Sequence, residues 1–173
     1  MRKATKVSVR DFLSLVRDII RSDEFRSMKQ YKHHVKCSLY DHSVKVAYLC
    51  YKHHLRFGMK TDIADFVRGA ILHDYYLYDL HGDGASHRFH WFKHPKAALQ
   101  KALEKYPCLT YTQRDMIVHH MFPLTLMPPK TAEGWLVCLY DKIAAVSDRF
   151  GNSKWKICKD DLKSSQESIY NIS

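Results

Sequence analysis

Apolar residues recur along much of the chain at intervals of three and four, the spacing of helices that bury one face. Phe12, Leu13, Val16, Ile19 and Ile20 form such a stripe in residues 9–21. The same pattern predicts further helices over 41–57, 62–75, 94–107, 111–121 and 133–149, and a short one over 159–170. Val, Ile and Thr do not alternate over a run long enough to indicate a sheet. The sequence therefore predicts an all-α protein, a compact helical bundle.

Capping residues and helix breakers indicate where these helices begin and end. Gly58 is expected to end the second helix, and Asp62 to serve as the N-cap of the third. His94 takes the cap position of the fourth helix, because Pro95 suits the first helical position. Residues 79–93 contain Gly-Asp-Gly and clustered polar residues, so we expect a loop there.

Composition narrows the class of protein. With 173 residues, 46% of them hydrophobic, the chain is long enough for one ordinary domain, and we expect a single domain over 1–173. No apolar run approaches the roughly 20 residues that cross a bilayer, and the basic N-terminus lacks the apolar stretch of a signal peptide. The five cysteines are scattered without a C-x-x-C pair, which argues against a disulfide framework and a thiolate zinc site. These features predict a cytoplasmic protein, and the net charge of +10 favours anionic partners.

Imidazole and carboxylate groups fall on the apolar faces of several predicted helices. His42 precedes Val46 by one turn, and Asp141 follows Val137 by one turn, so both polar side chains should point inward. Residues of this kind come from separate parts of the chain. The inward set comprises His42, His73, Asp74, His94, His120 and Asp141.

His73 and Asp74 stand side by side inside an apolar run. Burying an unpartnered carboxylate is costly, because it loses its hydration and gains nothing in return. Gly69 and Ala70 come just before the pair, and two small residues leave room for another backbone or a bound ion to approach. Some donor, proton or cation must therefore meet Asp74.

The fifth helix offers two adjacent histidines. His120 follows Met116 at helical spacing and so lies on the apolar face, whereas His119 is turned partly outward. His120 is therefore the preferred member of the inward set. His94 joins the set from the edge of a helix whose apolar face continues through Ala98.

Each of these residues has a simpler explanation when taken alone. A buried histidine is usually satisfied by its neighbours in the core, and an inward aspartate is more often a cap or an ion-pair partner than a ligand. Together, however, they would need many independent partners, which one or two metal ions would replace. Imidazole and carboxylate without thiolate suit Mn, Fe, Co, Ni or Zn better than Ca.

The ordered pattern H…HD…D resembles the HD-domain superfamily of metal-dependent phosphohydrolases. It consists here of His42, His73, Asp74 and Asp141. The flanking stretches YDHSVKVA, GAILHD, HPKAAL and LYDKIAAV extend the resemblance over residues 30–150 and are similar to small single-domain HD proteins of bacteria. His94 and His120 are similar to residues of HD proteins that hold two metals, among them dinucleoside-polyphosphate hydrolases and cyclic-dinucleotide phosphodiesterases. The chain lacks the G-Y-P signature of the phosphodiesterases.

The resemblance implies a helical bundle, a metal centre and a hydrolytic activity. The first metal would be held by His42, His73, Asp74 and Asp141. Asp74 would bridge to a second metal, held also by His94 and His120. The implied reaction is hydrolysis of a phosphate ester or anhydride by metal-activated water. The substrate would be a phosphorylated small molecule, with a nucleotide favoured.

Basic residues near these positions are candidates for holding a phosphate: Lys142, Arg88, Lys93 and Lys96. Each has solvated surface charge as its simpler explanation. His34 lies shortly before His42, where it would contact a phosphate, donate a proton to the leaving group, or serve only the structure. An aromatic cluster follows the HD pair and either stacks on a nucleobase or belongs to the core: Tyr75, Tyr76 and Tyr78.

Two other functions are compatible with the sequence. The first is a binding module, which would sense a nucleotide without cleaving it or hold nucleic acid through its basic surface. No helix concentrates Lys and Arg on one face, however, and no nucleic-acid-binding motif is present. The second is a structural metal, which would need a coordination sphere closed to water.

Overall fold

A computed structural model of the chain describes residues 7–34, 37–76 and 87–149, without the side chains of 32–34 and 87–92. Apart from one short hairpin, the regular structure in these residues is helical, which confirms the all-α prediction. The elements are α1 (Val9–Leu15), α2 (Arg17–Arg21), α3 (Asp23–Ser27), a 3-10 helix (Met28–Gln30), β1 (Lys32–His34), β2 (Cys37–Ser38), α4 (Leu39–Phe57), α5 (Ile63–Ile71), α6 (His87–Lys105), α7 (Tyr111–His119) and α8 (Ala132–Arg149). None of the helices within the described ranges is long and apolar enough to cross a membrane.

The helix predicted over 9–21 is two helices, α1 and α2. The backbone of Val16 departs from helical geometry, with φ −122° and ψ 14°, and separates them. The apolar stripe is nevertheless buried as predicted. Phe12 packs against Tyr48 and Tyr51 of α4, with ring centroids 5.2 and 5.6 Å apart. The pattern thus identified the buried face correctly, but the continuity of the helix was wrong.

The elements between α2 and α4 gave no clear pattern in the sequence. Strands β1 and β2 pair antiparallel, with Lys32 opposite Ser38, and are too short for alternation to be visible. The hairpin leads directly into α4, because Ser38 is the N-cap of that helix and accepts a hydrogen bond from the backbone N–H of Asp41 at 3.1 Å.

The predicted C-terminal end of α4 and the predicted start of α5 are confirmed, while α4 begins two residues before the predicted 41. Gly58 follows α4 in the left-handed conformation (φ 62°), which glycine adopts without strain. Asp62 caps α5 by accepting a hydrogen bond from the backbone N–H of Asp65 at 3.0 Å. Helix α5 ends one turn earlier than predicted, so His73 and Asp74 lie in the turn that follows it.

Helix α6 includes His87–Lys105, which corrects two expectations. His94 is inside the helix and not at its N-cap, and Pro95 is a helix-interior proline. The loop expected over 79–93 is therefore wrong for 87–93, and its remainder lies outside the described residues, as does the helix expected over 159–170. Proline removes one main-chain donor and crowds the preceding turn. The helix continues through it, and Ala98 and Ala102 are fully buried on its inner face.

The longer helices surround one interior. Helix α4 packs on α5 and α8, and α7 packs on α5, α6 and α8. At the crossing of α5 and α7, a Cβ added to Gly69 would lie 3.2 Å from Cα of Gln113. Another backbone therefore comes close to this glycine, which is one of the two possibilities that the sequence left open.

Candidate metal centre

Five segments of the chain bring six polar side chains into the interior. These are His42 of α4, His73 and Asp74 in the turn after α5, His94 of α6, His120 at the end of α7 and Asp141 of α8. All six are buried, with no residue more than 7% exposed. The structure therefore brings together the whole inward set named from the sequence, although His42 and Asp141 are 99 positions apart in the chain.

One half of the cluster is formed by His42, His73 and Asp141. Nε2 of His42 is 3.0 Å from Oδ1 of Asp141, and Nε2 of His73 is 3.9 Å from the same oxygen. A ligand atom from each of these residues lies within 4.8 Å of the other two. The three residues thus form a group that could hold one metal ion.

Asp74 occupies the centre of the other half. Its Oδ1 is 3.2 Å from Nε2 of His120 and 3.4 Å from Nε2 of His94, while its Oδ2 is 3.5 Å from Nε2 of His73. The Nε2 atoms of His94 and His120 are themselves 3.0 Å apart. The carboxylate in the apolar run is therefore met by three imidazoles.

Main-chain carbonyls fix the orientation of two of these imidazoles. Nδ1 of His73 donates to the carbonyl of Ala70, and Nδ1 of His120 donates to the carbonyl of Ile117, each at 2.8 Å. Because a carbonyl oxygen only accepts, Nδ1 carries the hydrogen, and Nε2 of the neutral ring has a lone pair. In both residues that lone pair faces the cluster, as metal coordination requires.

The cluster fits divalent metal ions. Two ligand atoms at about 2.1 Å from one ion lie about 3 Å from each other, and several pairs in the cluster are separated by 3.0–3.5 Å. Nε2 of His73 is buried and makes no hydrogen bond within the described part of the chain, so a cation would satisfy it. Four imidazoles and two carboxylates also form a donor set suited to Mn, Fe, Co, Ni or Zn.

Burial and charge act in opposite directions on the ionisable groups. Burial lowers the pKa of His73 to about 4, so this ring is neutral. Burial also opposes charge on His42, but the hydrogen bonds that its ring donates to Asp141 and Asp148 outweigh burial and raise the pKa of His42 to about 9. For Asp74, burial is outweighed by His73, His120 and His94, which hold its pKa well below the usual value. Asp74 is therefore ionised at neutral pH and offers its charge to a cation.

His119 lies outside the cluster. Its Nδ1 is 2.7 Å from Oδ1 of Asp115, and its side chain is 14% exposed, compared with 1% for His120. Asp115 also accepts hydrogen bonds from the backbone of Lys130 and Thr131. The choice of His120 over His119 from the helical face thus agrees with the placement of both rings.

The candidate substrate-binding residues, unlike the six clustered residues, do not all lie in one place. Nζ of Lys142 is 3.0 Å from the carbonyl oxygen of His120 and 3.1 Å from that of Cys138. Lys93 and Lys96 are exposed on α6, on either side of His94. Arg88 belongs to α6 and His34 to β1, but the side chains of both lie outside the described part of the structure.

The aromatic residues after the HD pair are mostly core. Tyr75 is fully buried and stacks on Phe25, with ring centroids 6.3 Å apart. The ring of Tyr76 is 5.6 Å from that of His94, beside the cluster. Tyr78 lies outside the described residues. Of the three tyrosines, only Tyr76 can thus be placed next to a candidate ligand.

An ion pair of buried side chains next to His42 was missed in the sequence. Oδ2 of Asp148 is 3.2 Å from Nδ1 of His42, and Oδ1 of Asp148 is 2.6 Å from Nζ of Lys45. A signal for both was present, since Asp148 follows Asp141 by seven residues and Lys45 follows His42 by three, spacings that keep residues on one helix face. Charged residues near helix ends are common, however, and nothing local distinguished these two.

Comparison with known proteins gives one family match, and that match includes the clustered residues. The family model described as HD domain matches residues 39–146, which is more than half of the chain and contains all six clustered residues. Searches of curated proteins and of solved structures found no match. The match begins at the first residue of α4 and ends within α8, the two helices that carry His42 and Asp141. The chain therefore belongs to the HD-domain family, part of a superfamily of metal-dependent phosphohydrolases.

Proposed function

We propose that this protein is a metal-dependent phosphohydrolase that cleaves a phosphate ester or anhydride bond in a small phosphorylated compound, with nucleotides as the favoured class. The observation that carries the proposal is the position of Asp74, whose two oxygens face His73 on one side and the His94–His120 pair on the other. The net charge of +10 supports an anionic substrate.

The residues would hold the metals in two overlapping groups. His42, His73 and Asp141 form one, and Asp74, His94 and His120 form the other, which also reaches His73 because Oδ2 of Asp74 is 3.5 Å from its Nε2. Because its two oxygens face different imidazoles, Asp74 is suited to bridge two ions. A divalent metal bound there would lower the pKa of a water molecule and polarise phosphoryl oxygens, two effects that promote attack on a phosphate.

The chain's own groups prepare the site for this chemistry. Asp74 is ionised and His73 neutral, so each is in the form that binds a cation. Burial keeps bulk water away and so strengthens the interactions of these charges. Beyond the ligands, we propose His34 as a group that contacts the phosphate or protonates the leaving group.

Among the basic residues, the contacts favour Lys93 over Lys142 for substrate binding. Lys142 donates to the carbonyl oxygens of His120 and Cys138, so it helps to fix the end of α7 against α8. Lys93 is exposed and precedes His94 by one residue in α6, and we propose that its long side chain reaches a phosphate bound at the cluster. Arg88 remains a candidate for substrate binding that rests on the sequence alone.

The test compares wild type, Asp74→Asn and Asp115→Asn. Asn keeps the volume of Asp but removes its charge, and Asp115 is a buried aspartate that contacts a histidine outside the cluster. Metal content is measured by elemental mass spectrometry after purification without chelator. Hydrolysis is followed as release of p-nitrophenol from p-nitrophenyl phosphate, and by chromatographic separation of the products from nucleotides and dinucleoside polyphosphates. We expect wild type and Asp115→Asn to bind metal and hydrolyse one class of substrate, and Asp74→Asn to lose the activity.

Two results would contradict the proposal. Full activity in Asp74→Asn would show that this carboxylate has no part in the reaction. A wild-type chain that binds no metal after reconstitution and hydrolyses none of these compounds, but binds nucleotide or nucleic acid, would favour the binding module.

A further inference from the structure

A buried ion pair lies behind His42, on the side of the ring away from the metal cluster. Asp148 and Lys45 are joined at 2.6 Å, and their side chains are 5% and 4% exposed. Nζ of Lys45 also donates to the carbonyl of Ala144 at 3.3 Å. The second oxygen of Asp148 is 3.2 Å from Nδ1 of His42. One carboxylate is therefore shared between a lysine and a candidate metal ligand.

Stability alone does not explain this arrangement. Removing two charges from water costs free energy that their attraction often fails to recover, so a buried ion pair is weak evidence for a stabilising role. What distinguishes this pair is its third contact, with the imidazole of His42. That contact lies on Nδ1, while Nε2 of the same ring is 3.0 Å from Asp141.

The position of His42 in its helix explains why a side chain is needed there. His73 and His120 follow the ends of α5 and α7, where the last carbonyls of a helix have no helical partner and can accept from Nδ1. His42 is in the first turn of α4, where the carbonyls already accept helical N–H groups. An acceptor for its Nδ1 must therefore come from another element.

We propose that Asp148, held in place by Lys45, positions His42 as a metal ligand. The carboxylate fixes the hydrogen on Nδ1 and leaves Nε2 directed at Asp141 and the cluster. Carboxylates that contact a ligating histidine in this way orient the ring and strengthen its bond to the metal. Lys45 anchors the carboxylate and balances its charge. This inference rests on the proposed metal centre and adds two positioning residues to it.

The test compares metal affinity in Asp148→Asn and in the double variant Lys45→Met/Asp148→Asn. The double variant is needed because the single one leaves Lys45 buried without its carboxylate, which can unfold the chain. The matched control is Asp115→Asn, since Asp115 makes the same kind of contact, 2.7 Å to Nδ1 of His119, outside the cluster. Dissociation constants for Co²⁺ are measured on metal-free protein by competition with a chelator, and circular dichroism checks that each variant is folded.

We expect both Asp148 variants to bind one Co²⁺ about 10–100-fold more weakly than wild type. Their Co²⁺ absorption bands should also change, because the position of one ligand has changed. Asp115→Asn should keep the affinity and the spectrum of wild type, whatever its loss of stability.

Wild-type affinity in a folded Asp148 variant would overturn the inference, and so would an equal loss in Asp115→Asn. In either case wild type would still bind metal and hydrolyse its substrate, so the proposed function would stand. A wild-type chain without affinity for Co²⁺ or any other divalent metal would overturn both proposals together.

Discussion

Replacing Gly69 by alanine should destabilise the protein, although alanine is the better helix former. Gly69 lies in α5 where that helix crosses α7. A Cβ at this position would collide with the methyl group of Met116 and lie 3.2 Å from both Cα and Cγ of Gln113. Met116 is fully buried, so its methyl group can move only by displacing other core atoms.

Two opposing terms set the size of the effect. Alanine in place of glycine stabilises a helix interior by roughly 1 kcal/mol. Overpacking a filled core typically costs 1–3 kcal/mol, and the backbone of Gln113 can yield only if α7 shifts as a whole. The two terms leave a net cost of about 0–2 kcal/mol, and because the contact with the Gln113 backbone cannot relax locally, we expect Gly69→Ala to lower the free energy of unfolding by the upper half of that range, about 1–2 kcal/mol.

Urea denaturation of a double-mutant cycle tests this reasoning. Met116→Ala removes the methyl group that the new Cβ would meet, so Gly69→Ala should cost less in the Met116→Ala background than in wild type. A Gly69→Ala protein as stable as wild type would refute the steric argument. An equal cost in both backgrounds would show that Met116 is not the obstacle.

Four further outcomes are expected. His120→Ala should lower the metal content measured by elemental mass spectrometry, whereas His119→Ala should leave it unchanged because His119 contacts Asp115 outside the cluster. Asp115→Ala should lower the free energy of unfolding in urea by about 3 kcal/mol, since Asp115 accepts hydrogen bonds from the two residues before α8. Burial raises the pKa of Asp115, but hydrogen bonds outweigh it and lower the pKa below its usual value. The stability that this group contributes is therefore present above its unfolded pKa of about 3.9 and is lost as the pH falls through its folded pKa. Asp115→Asn should consequently lose less stability than wild type between about pH 5 and pH 3, as followed by urea titrations across that range. Arg68→Ala should cost less than about 1 kcal/mol in the same assay, because its partner Asp18 is half exposed.

Local signals in the sequence predicted most of the helices and their ends. Caps and breakers act within a few residues, through hydrogen bonds of the first turn at Asp62 or the left-handed backbone at Gly58. The same rule failed at Pro95, because proline favours a helix start but here lies inside a helix that extends on both sides of it. The pattern around Val16 failed differently, since an apolar stripe reports burial and not the continuity of the backbone.

The sequence by itself determined which side chains face the interior, because residues spaced at the helical period lie on the same face of a helix. That was enough to predict the inward set and, with the order H…HD…D, the family. Only the tertiary structure decided which of these groups meet. The two oxygens of Asp74 face different histidines, and Asp148 lies against His42 across 106 positions of sequence. Such contacts depend on how α4, α7 and α8 pack on one another, and the energies that set this packing are summed over the whole core. These packing energies cannot be read from any short stretch of sequence.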